Sequence, residues 1–242
     1  MFSITDRETL PTIGLSVTAN VRSHGTRLDP AAASSCPGPP RITRAAVELL
    51  DEVGLAGLST RRLAARLGVR SPTLYWHVKN KEELLDLVAE AICADAIHID
   101  EGLPWPDQLI SGLRQFRTLL LAHRDSAALL RERPPTGPHR LGHIETTLGI
   151  LLRAGFDEEE AVAISQLLTA HVLSSVEGFT SRNPPKGEAP GRTGPSAESL
   201  ESHPYLRRSL PAFGRVDAAQ VFEEGAEIII DGLIQRIERR SP

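Results

Sequence analysis

Cysteine, aromatic residues and long apolar runs are all scarce in this sequence. The 242 residues include two cysteines, Cys36 and Cys93, and six Phe, two Trp and two Tyr residues. Two cysteines in unrelated surroundings are too few for a disulfide framework or a thiolate metal site, so we expect free thiols. No stretch approaches the roughly 18 consecutive apolar residues of a membrane span. Residues 1–40 also lack the pattern of a secretory signal, so we expect a cytoplasmic protein with no membrane partner.

The chain also lacks the short motifs that mark common catalytic sites. It contains no G-x-S-x-G, no Walker glycine loop, no G-x-G-x-x-G and no H-E-x-x-H. These motifs position a nucleophile, a phosphate or a zinc ion. We therefore predict that the protein is not an enzyme, and we expect no catalytic residue, no metal site and no cofactor. An α-helical enzyme that uses Glu177 and His171 as an acid/base pair is an alternative.

Charge is distributed unevenly along the chain. Residues 41–81 contain eight Arg and Lys side chains against three acidic ones, whereas residues 82–242 contain 16 basic and 25 acidic side chains. This distribution is expected when one small domain binds a polyanion and the rest of the protein has a different function.

Apolar spacing predicts three short helices in this basic segment. The first ends at Gly54 and carries an apolar stripe at helical spacing: Ile42, Ala45, Ala46, Leu49, Leu50 and Val53. Ser59 is suited to cap a second helix that stops at Gly68. Ser71 is suited to the N-cap of a third helix, with Pro72 in its first position. Three helices joined by a tight glycine turn are typical of a helix-turn-helix module.

The remaining patterns predict further helices and no strand. Asn80 should cap a helix over residues 82–98, and helical spacing recurs at 106–123, 126–133, 138–154 and 157–181 and again from Asp217. The segment 157–181 is apolar nearly all round, so other helices must cover it on more than one side. Residues 1–40 are predicted to form a disordered arm and residues 182–204 a flexible loop, because both are rich in Gly, Pro and Ser.

The first turn of the third helix is the predicted reading surface of the module. In a helix-turn-helix this turn faces base edges in the major groove of DNA, and here it contains Arg70, Ser71 and Thr73. Arginine matches the two acceptors of guanine, and hydroxyl groups bond bases or phosphates. Arg61 and Lys81 are expected to contact phosphates, because both helices dock against the DNA backbone.

Three aromatic residues follow this turn directly. Tyr75, Trp76 and His77 are about 100° apart on a helix, so they cannot all point inward. An exposed aromatic run beside lysines is expected to be covered by the nucleic acid. A place for Trp76 in the small three-helix core is the alternative, with Leu74 and Val78 as the expected core residues.

Several segments resemble the TetR family of bacterial regulators, and in particular its tetracycline repressor branch. The DNA-binding resemblance lies in "LSTRRLAARLGVRSPTLYWHVKNKEELLD", with "PTLYWHVKNK" especially similar. Three further segments resemble successive helices of the regulatory domain: "RTLLLAHRDSAALLRERP", "IETTLGILLRAGF" and "AVAISQLLTAHVLSSVEGF". The resemblance covers residues 42–181 and implies a homodimer that binds a palindromic double-stranded DNA operator. It implies operator contacts through Thr60, Arg61, Arg70, Ser71, Pro72, Thr73, Tyr75, Trp76, His77 and Lys81.

The resemblance weakens at the positions that bind the drug in tetracycline repressors. Leu130 stands at the position of the metal-binding histidine, and Ile97 and Gly112 stand where the branch has another histidine and an asparagine. Leucine cannot ligate magnesium, which needs oxygen-rich octahedral sites. We therefore expect a hydrophobic small-molecule effector other than tetracycline. The predicted pocket, for which plain core packing is the alternative, consists of Phe116, Leu130, Thr147, Ile164, Leu168, His171 and Glu177.

Together these features predict an all-α, ligand-responsive homodimeric transcriptional regulator associated with the nucleoid. Residues 41–87 would form an N-terminal three-helix helix-turn-helix DNA-binding domain, and residues 88–242 a helical ligand-binding and dimerisation domain. The protein would be a repressor that a small molecule releases from its operator. The helix over 82–98 would act as the lever between the two domains, since it begins beside the phosphate contact and ends at the presumed pocket. A DNA-binding regulator controlled by a protein partner, with no small-molecule effector, is the alternative.

Overall fold

A computed structural model of the chain describes residues 38–94, 97–182, 200–213 and 215–240, with the backbone alone described at 178–182. Most of the predicted N-terminal arm and of the predicted loop at 182–204 therefore lies outside the described residues. The described part is all-α, as predicted. Its helices are α1 Pro39–Gly57, α2 Thr60–Leu67, α3 Ser71–Leu74, α4 Lys81–Ile92, α5 Trp105–Leu121, α6 Ser126–Glu132, α7 Pro138–Arg153, α8 Glu158–Arg182, α9 Pro204–Phe213 and α10 Ala218–Glu238.

Helices α1 to α3 form a small cluster around the predicted apolar stripe. Ile42, Ala46 and Leu50 are buried on α1 and pack with Leu63 of α2 and Leu74 of α3. Helix α1 is interrupted where the sequence predicts its end, because Gly54 adopts φ 71° and ψ 174°. That conformation is accessible to glycine and strained for other residues.

The caps predicted at two of the helix starts are confirmed. The Ser59 hydroxyl accepts from the Arg62 N–H at 3.3 Å, and the Asn80 side chain accepts from the Glu83 N–H at 2.8 Å. The prediction for α3 was wrong in register, because Arg70 is its N-cap and Ser71 is its first helical residue. Proline fits either of the first two helical positions, so its place in the sequence does not fix the start.

Helix α8 is the centre of the C-terminal part, and it contacts α5, α6, α7 and α10. These contacts cover most of the apolar surface that the sequence predicts for it, and they leave Val162 and Leu167 exposed. The predicted capping box at its start is confirmed, since Asp157 accepts from the Glu160 N–H and Glu160 accepts from the Asp157 N–H. The corresponding pair of Asp217 and Gln220 caps α10. Helix α9 was not predicted, and none of its residues is buried.

Helix α4 connects the two parts of the fold. It contacts α1 on the N-terminal side, and it contacts α6 and α7 on the C-terminal side. It ends at Ile92, earlier than the predicted end at residue 98, and residues 97–100 are not helical. Among the helices described, none is long and apolar enough to span a membrane.

Candidate nucleic-acid interface and effector cavity

The ten residues predicted to contact DNA lie on α2, on α3 with its N-cap and the turn after it, and at the start of α4. Trp76 is 86% exposed and Tyr75 is 49% exposed, so neither ring belongs to the core. The alternative that placed Trp76 in the three-helix core was therefore wrong. His77, Arg70 and Lys81 are also exposed. The turn thus presents aromatic and cationic side chains on one short stretch of surface.

Two buried residues hold this turn in place. Leu74 and Val78, the predicted core residues, are 2% and 1% exposed. The N–H groups of His77 and Val78 both donate to the Leu74 carbonyl, each at 2.9 Å. Because two apolar anchors flank Tyr75, Trp76 and His77, the chain must turn these three residues outward. The exposed rings therefore follow from the local packing.

Some arginines near this surface form ion pairs within the protein, whereas others have no carboxylate partner and can bind a ligand. Arg66 binds Glu52 at 2.6 Å and Glu48 at 3.0 Å, which ties α2 to α1. The hydrogen bond from Arg66 lowers the pKa of Glu52 below its ordinary value. Within the described residues, Arg61, Arg70 and Lys81 have no such carboxylate partner. These three side chains give the surface its positive charge, and an uncompensated cation is suited to phosphate contact.

A cavity of about 560 Å³ lies in the C-terminal part, between α5, α7 and α8. The end of α4 contributes Cys93, and α6 contributes Leu130. Burial raises the pKa of the Cys93 thiol to about 11, so this thiol is protonated at neutral pH. The apolar residues of the wall include Ile97, Ile99, Leu109, Leu113, Phe116, Leu130, Ile144, Ile150, Leu168 and Leu173. A cavity of this size with a mostly apolar wall is suited to a drug-sized molecule.

Four of the seven residues predicted to bind the effector line this cavity: Phe116, Leu130, Thr147 and Leu168. The other three lie outside its wall. Ile164 is buried in the core. The Nε2 atom of His171 lies 2.9 Å from the Phe222 carbonyl oxygen, and the two rings are stacked. Glu177 forms an ion pair with Arg131 at 3.0 Å. The partners of His171 and Glu177 on other helices give no support to an acid/base pair.

The cavity contains polar side chains that the sequence reasoning missed. Gln108 of α5 and His139, Arg140, His143 and Thr146 of α7 all line it. The sequence of α7 has the pattern of an ordinary amphipathic helix. Its polar residues at 139, 143 and 146 are spaced so that they lie on one face of the helix. That spacing is the signal that could have identified them.

Arg140 and His143 are two ionisable side chains in the cavity wall. Arg140 is buried, and its guanidinium donates to the carbonyl oxygens of Arg133 at 2.7 Å, Pro134 at 3.0 Å and Leu130 at 3.2 Å. His143 is half-buried and lies edge-on to the Phe116 ring at 5.9 Å. Burial lowers the pKa of His143, so its imidazole is neutral at neutral pH. Among the described residues that line the cavity, there is no Asp, Glu or Lys side chain.

Three positions of the cavity wall lack the metal and drug ligands of the tetracycline repressor branch. Leu130, Ile97 and Gly112, at the three positions that the resemblance assigns to drug or metal contacts, all line the cavity. None of these side chains offers oxygen or nitrogen to a metal ion. Across the described ranges, no group of three or more His, Cys, Asp or Glu side chains could hold a metal.

Hydrogen bonds and ion pairs join α4 to the wall of the cavity. The Glu90 carboxylate accepts from the backbone N–H groups of His139 and Arg140, in the first turn of α7. Gly137 is the N-cap of α7 and has no side chain to supply this cap itself. One turn earlier on α4, Asp86 forms a two-fold ion pair with Arg133, at 2.7 and 2.8 Å. These contacts therefore connect α4 to the start of α7, which lines the cavity, and to Arg133 after α6.

The loop between α5 and α6 makes similar contacts with the end of α1. Asp51 accepts from the Arg124 N–H at 2.9 Å and lies 3.1 Å from Nδ1 of His123. Asp125 accepts from the Leu55 N–H at 2.8 Å. The helix-turn-helix part is thus joined to the C-terminal part at this loop as well as through α4.

Comparison with known families matches both parts of the chain. Residues 42–88 match the model described as bacterial regulatory proteins, tetR family. Residues 100–237 match the model described as tetracyclin repressor-like, C-terminal domain. The two matches cover the helix-turn-helix surface and the cavity wall apart from Cys93, Ala94, Ile97 and Ile99.

Individual relatives agree with these family matches. The tetracycline repressor protein class A from transposon 1721 of Escherichia coli is 37% identical over 207 residues, which is 82% of this chain and 91% of that protein. ActR, a TetR family protein of Streptomyces coelicolor solved in complex with actinorhodin, has 32% identity and a TM-score of 0.71, covering 83% of this chain and 98% of ActR. TetR from Acinetobacter baumannii AYE has 31% identity and a TM-score of 0.62, covering 83% of this chain and 98% of that one.

Proposed function

This chain belongs to the TetR family of bacterial transcriptional regulators, and from that premise we propose that it is a homodimeric repressor released from a palindromic operator by an apolar small molecule. It is a ligand-responsive DNA-binding regulator, and its family consists of transcriptional regulators, which are not enzymes. The single observation that supports the effector proposal best is the cavity of about 560 Å³. Its wall is mostly apolar and includes the end of α4. The proposed site of action is the bacterial cytoplasm, where the operator lies.

The proposed DNA contacts divide into positioning and reading contacts. Arg61 and Lys81 hold phosphates, while Arg70 reads a base edge from the N-cap of α3. Tyr75, Trp76 and His77 lie against the walls of the groove, and the exposure of Trp76 supports this role, since a large apolar ring in water is costly unless a partner covers it. Thr60, Ser71, Pro72 and Thr73 complete the proposed surface.

The proposed dimer forms through α8 and α10. These helices pack against each other and against α5, while their opposite faces are exposed. Apolar residues remain on the exposed faces, including Val162 and Leu167 of α8 and Val221 and Ile228 of α10. Pairing these faces with a second copy would form a four-helix interface. Such a dimer presents two copies of α3 to the two halves of a palindrome.

The proposed effector binds against Phe116, Leu130, Thr147 and Leu168. An aliphatic side chain at position 130 argues against tetracycline with its magnesium ion. The structure of ActR with actinorhodin supports a small molecule of another kind, because ActR has the same fold. Ile164, His171 and Glu177, which lie outside the cavity wall, would act on the effector only through the residues around them.

The proposed release mechanism passes through α4. An effector can shift the repressor only if it binds one conformation more tightly than the other. The cavity wall includes the first turns of α7, which Glu90 joins to α4, and α4 begins at Lys81 on the DNA surface. An effector that displaces α7 therefore tilts α4 and changes the separation of the two recognition helices in the dimer.

A titration of the operator complex tests this function. Purified protein is bound to a fluorescent duplex obtained by selection from random DNA, and neutral lipophilic compounds are added while anisotropy is recorded. We expect some compounds to release the duplex, and we expect Leu168→Trp, which fills the cavity, to bind DNA but resist release. Release that is unchanged in Leu168→Trp would reject the cavity as the effector site. Release only by an added cell protein would favour the protein-partner alternative.

A further inference from the structure

A second cavity, of about 500 Å³, adjoins the first one. Five residues line both cavities: Ile97, Ile99, Gln108, Thr146 and Ile150. They belong to three separate elements, α5, α7 and the non-helical segment 97–99, so they surround the border between the two cavities on three sides. One molecule can therefore extend from the first cavity into the second.

The second cavity differs from the first in its chemistry. Four described residues line the second cavity alone, and all are polar or charged: His98, Asp100, Glu101 and Arg153. All four are exposed, so a bound molecule can reach them. In the described part of the chain, the Glu101 carboxylate and the Arg153 guanidinium have no ion-pair or hydrogen-bond partner. A polar cavity with available acceptors and a donor thus lies next to a mostly apolar one.

Two glutamines of α5 hold the loop that carries three of these polar side chains. Nε2 of Gln115 donates to the His98 carbonyl oxygen at 2.8 Å, and Oε1 of Gln115 accepts from the His98 N–H at 2.9 Å. Nε2 of Gln108 donates to the carbonyl oxygens of Leu103 at 2.7 Å and Glu101 at 3.3 Å. The loop is therefore fixed before a ligand binds, which reduces the entropy lost on binding.

Asp100 and Thr146 each keep one hydrogen-bonding position open. Oδ1 of Asp100 accepts from the Gly102 N–H at 2.9 Å, which leaves Oδ2 for a ligand. The Thr146 hydroxyl donates to the Gly142 carbonyl oxygen at 2.9 Å, so its oxygen can accept from a ligand. Together with the Glu101 carboxylate, these groups are three acceptors that a ligand with several donors can satisfy.

A ring with several hydroxyl groups matches this set of partners. Each hydroxyl donates one hydrogen bond and accepts others, so neighbouring hydroxyls can bind a carboxylate and a guanidinium at once. A simple amine is attracted by Asp100 and Glu101 but is repelled by Arg153, and a simple carboxylate meets the opposite conflict. An uncharged polyhydroxylated ring, such as a sugar, avoids both conflicts.

We infer that the second cavity is a subsite for an uncharged polyhydroxylated arm of the effector, and that the effector is a glycoside-like compound with an apolar ring body. The inference deepens the proposed function and rests on it, because it takes the first cavity as the effector site. Phe116 and Leu168 contact the apolar body, while Asp100, Glu101 and Arg153 bind the arm. A compound without the arm occupies the first cavity alone and binds less tightly.

Three matched compounds test the inference by calorimetry at pH 7: 9-phenanthrol, its β-D-glucoside and the fully O-methylated glucoside. The methylated compound keeps the sugar ring but has no hydroxyl group to donate. We expect the glucoside to bind about tenfold more tightly than either of the other two compounds, which is the size of effect that a small number of hydrogen bonds produces.

Two exposed side chains of the second cavity provide the variant. In Glu101→Ala combined with Arg153→Ala, the glucoside should lose its advantage, while 9-phenanthrol should bind as it does to the wild type. Because both side chains are exposed, the fold should tolerate their removal. Glu145→Ala, at an exposed carboxylate of α7 that is outside both cavity walls, is the matched control and should keep the full preference.

The outcomes separate this inference from the proposed function. Equal binding of the glucoside and 9-phenanthrol by the wild type, equally tight binding of the methylated glucoside, or a preference that survives in the double variant would overturn the inference. In each of these cases, loss of 9-phenanthrol binding in Leu168→Trp would still support the first cavity as the effector site. If none of the three compounds binds, or if 9-phenanthrol binds equally well to Leu168→Trp, the effector cavity and the inference both fail.

Discussion

The carboxylate of Glu90 on α4 accepts a hydrogen bond of 3.3 Å from the backbone N–H of Arg140 on α7. It also accepts from the N–H of His139, so a side chain of one helix caps the start of another. Gly137, the N-cap residue itself, makes room for this contact, because a Cβ there would lie 2.2 Å from the Glu90 carboxyl carbon. The cap joins the helix that lines the cavity to the helix that begins on the DNA surface.

Removal of this cap should weaken the coupling between effector and operator. In Glu90→Ala we expect operator affinity without effector to change little, since Glu90 does not touch the DNA surface. We expect the effector-induced loss of operator affinity to shrink by about tenfold, within the usual range of allosteric coupling. Anisotropy titrations with and without a releasing compound measure both quantities. Glu90→Gln, which retains an acceptor oxygen, is the matched control and should remain close to wild type.

Gly137, the N-cap of α7, and Gly142, within α7, provide a test that needs no effector. Gly137→Ala places a Cβ against Glu90 and should lower the free energy of unfolding by about 1 kcal/mol, the typical cost of a lost cap. In Gly142→Ala, inside α7, the added Cβ meets no atom within 4 Å, so this substitution should raise the free energy of unfolding by about 0.5–1 kcal/mol. Chemical denaturation gives both values. Equal effects of the two substitutions would mean that the Glu90 cap has no energetic role.

Arg70 and Lys81 should respond differently to mutation, because one is proposed to read a base and the other to hold a phosphate. Lys81→Ala should weaken binding to every duplex and reduce the salt dependence by about one unit of slope. Arg70→Ala should relax the preference at one base pair, at a cost of about 1–3 kcal/mol. Binding measured at several salt concentrations with matched operator variants distinguishes them. Identical behaviour would reject the division into positioning and reading contacts.

Trp76 offers a companion test, because its ring is almost fully exposed. Trp76→Ala should reduce operator affinity while changing the free energy of unfolding by less than about 0.5 kcal/mol, as is usual at exposed positions. Leu74→Ala, at the buried last residue of α3, should instead destabilise the fold by about 2–5 kcal/mol.

A substitution at Ile228 tests whether the protein forms the proposed dimer. It is 63% exposed on α10, so a charge there is compatible with the folded monomer. In the proposed dimer the same position lies in the interface, where an unpaired carboxylate is costly. Ile228→Glu should therefore convert a dimer into a monomer in light scattering. Leu152→Glu, at an exposed apolar residue of α7, is the control and should remain dimeric.

The features of this fold that could be predicted from the sequence are those that depend on residues close together in the chain. The caps by Ser59, Asn80 and Asp217 follow from neighbouring residues, and the structure contains all three. The outward turn of Tyr75 and Trp76 follows from buried residues on both sides. In contrast, the cap that Glu90 supplies to α7 joins residues 49 and 50 positions apart, and no local pattern indicates it.

The cavity was predictable only in part, for the same reason. Phe116, Leu130, Thr147 and Leu168 were predicted by resemblance to a family, and they line the cavity. Gln108, Arg140 and His143 were missed, because their place in the wall depends on how α5 and α7 face each other across α8. Helix α9 was missed because its proline at 211 and its polar flanks resemble a loop.

His143 should make the stability of the protein depend on pH. Burial lowers its pKa in the folded state below the ordinary value of 6.5, so the unfolded chain binds a proton more readily. The protein should therefore lose stability as pH falls below 6.5, until the folded-state pKa is passed. Melting temperatures between pH 7.5 and about 5 should fall less steeply in His143→Asn than in wild type. Equal slopes would place the pH dependence elsewhere.

Selection of duplexes from random DNA, followed by binding of the selected site over a range of salt concentrations, tests the central claim most directly. We predict a palindromic site, bound by two copies of the chain, with an affinity that falls steeply as salt rises because several phosphate contacts release counterions. A chain that shows no salt-dependent affinity for any selected duplex would contradict the account.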